Sequence, residues 1–126
     1  MNVQRLASIY SIFVGISMIG LWVMLLTTDQ VPELALEPYR IMAHILAEVV
    51  TAVLLLVSGY GLLTKQTWGL KIFLFAQGAL FYTLIASPGY YVQLGFAPMV
   101  VMFSVLLVIT LIFIGFVISR PEKFEN

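Results

Sequence analysis

The sequence predicts an all-α integral membrane protein, a four-transmembrane-helix antiparallel bundle with short loops. Three observations carry that prediction. Of 126 residues, 62% are hydrophobic and 10% are charged, and mean hydropathy is +1.08, whereas soluble domains are about half apolar and a quarter charged. Four apolar runs, at about 3–28, 41–63, 68–87 and 97–119, come near the ~20 residues that a bilayer crossing requires. The polar breaks between them are too short to form a further domain, so residues 1–126 read as one transmembrane domain.

The first run has Arg5 at its head, as a cleaved signal peptide would. Its apolar length exceeds the 7–15 residues of such a peptide and no small-x-small pattern ends it, so a retained helix is predicted. TTDQVPELALEP follows, with two prolines and three acids; ELALE between the prolines suits a short interfacial turn of helix. The second run ends at TKQT, a short polar turn. The third ends at SPGYYVQLGFAP, where Pro-Gly and a second Gly and Pro predict a loop. The fourth, VVMFSVLLVITLIFIGFV, is almost wholly branched or aromatic and is predicted to be the most lipid-exposed.

Net charge is zero and the chain has no basic cluster, which excludes a nucleic-acid footprint. Cysteine is absent, so disulfides, thiolate ligands and thiol nucleophiles are excluded. Threaded through four spans, Arg5, Lys65, Lys71, Arg120 and Lys123 fall on one side and Arg40 alone on the other. Lys and Arg concentrate in cytoplasmic segments. Both termini are therefore expected in the cytoplasm, the chain being multi-pass in a prokaryotic cytoplasmic membrane. Trp22, Tyr39, Tyr90, Tyr91 and Phe96 then fall at the outer interface and Trp68 at the inner, as an aromatic belt.

Helices in lipid approach one another through small residues. Ala7, Ser11 and Gly15 at spacing four, Gly20, Gly59, Gly61, Gly69, Ala76 and Gly78 are the candidates.

Glu48 is the one acid inside a span and His44 the one histidine of the chain. An acid in a bilayer core costs about 2.5 to 3.5 kcal/mol and is usually turned to the protein interior or to water. At about 100° per residue, positions 44 and 48 differ by only about 40° in direction, so both side chains reach one point. Gln77 near mid-span, and Tyr82, Thr83, Ser104 and Ser17 in the outer half, stand at similar depths. Arg40, at the outer end of the second run, suits a lipid phosphate or an anionic group, or simple snorkelling to the interface.

These residues point to a site in the outer half of the bundle, formed by His44, Glu48, Gln77, Tyr82 and Arg40, for a small hydrophobic or lipid-like ligand. Phe73, Phe81, Tyr82 and Phe103 would wall it. The alternatives are Glu48 as glue between helices, a membrane enzyme using Glu48 or His44 as acid or base, a proton-coupled small transporter, and an accessory subunit of a larger membrane complex. Beyond the lipid bilayer, a homo-oligomer or that larger complex is the possible partner. His and Glu alone make an incomplete zinc set, which generally needs three protein ligands, and one histidine cannot hold haem from both sides. No metal is assigned, and the sequence leaves any cofactor undetermined.

Overall fold

The computed structural model describes residues 2–29, 31, 33–95 and 97–124, without the side chains of residues 33, 89–91, 93, 94, 122 and 123. The described residues form α1 (Val3–Thr27), α2 (Glu33–Leu36), α3 (Pro38–Leu63), α4 (Gly69–Leu94), α5 (Ala97–Ser119) and a 3-10 turn at Pro121–Phe124, with no strand. Four of these helices are long and apolar enough to cross a membrane. The expected turn of helix in ELALE is α2.

Local signals account for the helix ends. The Asn2 side chain accepts from the Arg5 backbone N–H at 2.8 Å and caps α1, and Pro38 opens α3, where its missing N–H is not needed. After α3 the chain reverses by a Schellman pattern. Gln66 N–H donates to the Gly61 carbonyl at 2.8 Å and Lys65 N–H to that of Leu62 at 3.2 Å, with Lys65 in the left-handed region at φ 57°.

The loop expected from Ser87 onward is instead helix. α4 continues through Pro88 to Leu94, and a turn at Gly95, φ 73°, follows. Proline removes only one backbone bond, the one to the carbonyl four residues back, and helices within a packed apolar assembly tolerate that loss. Tyr90 and Tyr91 therefore lie on helix backbone, although their side chains, like Phe96 as a whole and the side chain of Lys123, are outside the described residues.

α1 packs on α3, α3 on α4 and α4 on α5. The face of α1 turned inward is Gln4, Ala7, Ser8, Ser11, Val14 and Gly15, a helical stripe at spacings of three and four. Ser11 donates to the Leu55 carbonyl at 2.6 Å and lies 3.0 Å from the Ser58 hydroxyl. Gly61 and Gly69 pack backbone to backbone: a Cβ on Gly69 would lie 2.7 Å from the Gly61 carbonyl carbon. Gly20 and Gly78, also expected at interfaces, have open space around them, because they lie off the buried stripes of their helices. α5 is the most exposed helix, burying among its described residues only Thr110 and Val117.

Two apolar clusters fill the core. Leu62, Phe73, Val117 and Phe124 join Ala7 near the turn at Lys65. Val14, Leu55, Ala76, Leu80 and Leu84 form the other, with Phe103 packed against them. Tyr10 bridges α1 to α5: its ring lies 5.2 Å from that of Phe113, its O–H donates to the Leu106 carbonyl at 3.0 Å, and its oxygen lies 2.7 Å from the Thr110 hydroxyl.

Candidate functional site

Glu48 lies ten residues into α3, about 15 Å along its axis from Pro38. It is 7% exposed. His44, one turn earlier, is half-exposed and brings Nε2 to 3.3 Å from Glu48 Oε1. The four-residue spacing thus does what helix geometry requires of it. From α4, Ser87 donates its hydroxyl to the same Oε1 at 3.3 Å. From α1, the Trp22 ring meets the His44 ring edge-on, with centroids 5.9 Å apart. Side chains of α3 and α4 thereby meet on one buried carboxyl group, and α1 adds an aromatic ring against the histidine.

Ser87 and Trp22 were not among the sequence candidates. Ser87 was hidden by the Pro88-Gly89 pair, which reads as the start of a loop. With the helix carried through Pro88, Ser87 falls one turn after the buried Leu84 and Thr83, on the face turned to α3. Trp22 was legible only as a belt aromatic, since nothing in the sequence fixes how α1 is rotated against α3.

The other candidates stand elsewhere. Gln77 is buried, but ten residues from Ser87 and so about 15 Å along α4; neither of its amide atoms has a hydrogen-bond partner among the described residues. Tyr82 is 71% exposed, because the five residues separating it from Ser87 rotate it about 140° away. Arg40 points outward, with Nη1 3.5 Å from Glu37 Oε1. Phe73 is in the cluster near Lys65, stacked on Phe124 at 6.2 Å. Ser17 and Ser104 are exposed, and Thr83 is buried but donates to its own helix at Leu80. Of the five predicted site residues the structure brings together His44 and Glu48.

Serine, histidine and glutamate are the residue types of a hydrolytic triad, but the order is wrong. A triad places histidine between nucleophile and acid; here Glu48 stands between Ser87 and His44, and among the described residues Ser87 makes no hydrogen bond to His44. No group of three or more His, Cys, Asp or Glu suited to a metal ion occurs among the described residues. The arrangement can hold a polar group against Glu48.

Comparison with curated proteins gives no match, and comparison with solved structures gives none. A family model does match, over residues 1–126: the chain belongs to the family described as Domain of unknown function (DUF8058).

Proposed function

We propose that this is a multi-pass membrane protein whose four long helices cross the bilayer as an antiparallel bundle, both termini in the cytoplasm, and that it binds a small hydrophobic or lipid-like ligand. The polar end of the ligand meets Glu48, His44 and Ser87 in the outer half of the bundle. The observation that carries this reading is the meeting of α3 and α4 on Glu48, a buried acid held by a histidine at 3.3 Å and a serine at 3.3 Å. An acid at that depth is expensive, and mere glue between helices needs no half-exposed histidine beside it. A ligand would reach Glu48 past His44, which is exposed where Glu48 is not. The leucines and valines exposed along the helices let an apolar tail lie against the protein within the membrane. Without a histidine in contact with the Ser87 hydroxyl among the described residues, binding is favoured over acyl transfer by a serine–histidine pair.

Trp22 offers the test, because it touches His44. In a Trp68→Phe background, which leaves Trp22 as the only tryptophan, dodecanol is titrated into the protein in lipid nanodiscs while fluorescence is followed. A saturable change that disappears in Glu48→Gln supports the reading. A change that is unsaturable and identical in both proteins rejects it.

A further inference from the structure

Resting on that reading, we infer that the ligand's polar end is a hydrogen-bond donor carrying positive charge, an amphiphilic amine rather than a fatty acid. The site offers more acceptors than donors. A carboxylate presents about four lone-pair positions on two oxygens. Both protein contacts, from His44 and Ser87, fall on Oε1, and among the described residues no hydrogen bond reaches Oε2. An ammonium group has three donors and no acceptor, and so complements Oε2, which accepts no hydrogen bond among the described residues.

The surrounding charge favours the same sign. The helix ends nearest the site carry Asp29, Glu33 and Glu37 against the single Arg40. That guanidinium is turned outward and lies against Glu37, so it gives an anionic head group no counter-charge at Glu48. His44 directs Nε2 at Glu48, which already occupies it. A carboxylate ligand would meet Glu48 as a like charge in a site of low dielectric, where repulsion is strong. Trp22 adds an aromatic neighbour from α1, a group whose ring attracts cations.

The experiment compares three probes with the same tail and different heads: dodecylamine, dodecanol and laurate. Each is titrated into nanodiscs holding the wild-type sequence in the Trp68→Phe background, with empty nanodiscs correcting for partition. Dodecylamine is expected to bind saturably and on the order of tenfold tighter than dodecanol, as a charge-assisted hydrogen bond implies, with laurate weakest. Laurate binding as tightly as dodecylamine, or dodecanol matching it, overturns the inference while leaving a ligand site standing. Failure of all three to saturate overturns both the inference and the reading beneath it. The comparison needs no variant; Glu48→Gln, if folded by circular dichroism, is expected to lose saturable binding of dodecylamine as of dodecanol, and retention of the tenfold preference there overturns the inference.

Discussion

Gly15 faces Ala52 across the α1–α3 contact with space for a hydrogen and nothing larger: a Cβ on Gly15 would stand 2.9 Å from the Ala52 carbonyl oxygen and 3.0 Å from Leu56 Cγ. The Ala52 oxygen belongs to helix backbone and cannot step aside as a side-chain tip does. Gly15→Val is therefore expected to force α1 away from α3 and to destabilise by about 1 to 3 kcal/mol, the usual range for overpacking. Gly20→Ala and Gly78→Ala meet open space and replace glycine with a better helix former, so they should be neutral or stabilising by up to about 1 kcal/mol. Thermal unfolding in a fixed detergent checks all three. Equal losses at Gly15 and Gly20 would reject this account of the interface.

Gln77 gives a prediction of opposite sign. Its side chain is fully buried and neither amide atom has a partner among the described residues. A buried unpaired polar group costs about 1 to 3 kcal/mol, and an apolar residue of the same shape removes that cost. Gln77→Met keeps the length and flexibility of the side chain. It is expected to raise the midpoint of thermal unfolding. A lowered midpoint would show that the amide is engaged, by buried water or by a ligand.

These two cases show what the sequence could and could not disclose. Apolar runs near 20 residues long disclose where long helices lie, and all four runs fall in helices long and apolar enough to cross a membrane. The histidine–glutamate contact was legible because both residues belong to one helix and its period sets their direction. Contacts between helices depend on rotation about each axis, which an all-round apolar helix leaves unspecified. So Ser87 replaced Gln77 and Tyr82 as the partner of Glu48, and Gly20 and Gly78 proved open. Pro88 misled for a different reason: proline weakens a helix by one bond, and packed neighbours decide whether that ends it.

The orientation proposed for the membrane rests on five basic residues against one and predicts where reporters fused to the ends become active. An alkaline phosphatase fused at either terminus should be inactive, and a fluorescent protein that matures only in the cytoplasm should be bright at both. Moving two lysines into the segment around Asp29, while neutralising Arg5 and Lys65, should shift some molecules to the opposite orientation, because Lys and Arg near the helix ends set topology. Equal phosphatase activity from the unaltered chain in both orientations would remove the basis for calling the Glu48 end the outer half.

Glu48 itself separates a binding site from structural glue. Glu48→Gln retains the shape of the side chain and an acceptor for Ser87, so both accounts expect unfolding within about 1 kcal/mol of the parent, as for a volume-conserving change. They differ on binding: glue alone leaves dodecylamine titrations unchanged, whereas the site loses them. Glu48→Leu removes the acceptor and leaves the Ser87 hydroxyl and His44 Nε2 facing hydrocarbon. The expected loss is about 1 to 3 kcal/mol. Adding Ser87→Ala takes away one of the groups stranded by that change, so the double variant should be more stable than Glu48→Leu alone. A double-mutant cycle measures this directly, since contacting residues couple by 0.5 to 3 kcal/mol and independent ones add. Simple additivity between positions 48 and 87 would mean that the 3.3 Å contact contributes nothing to the fold, and the convergence of α3 and α4 on Glu48 would lose its support.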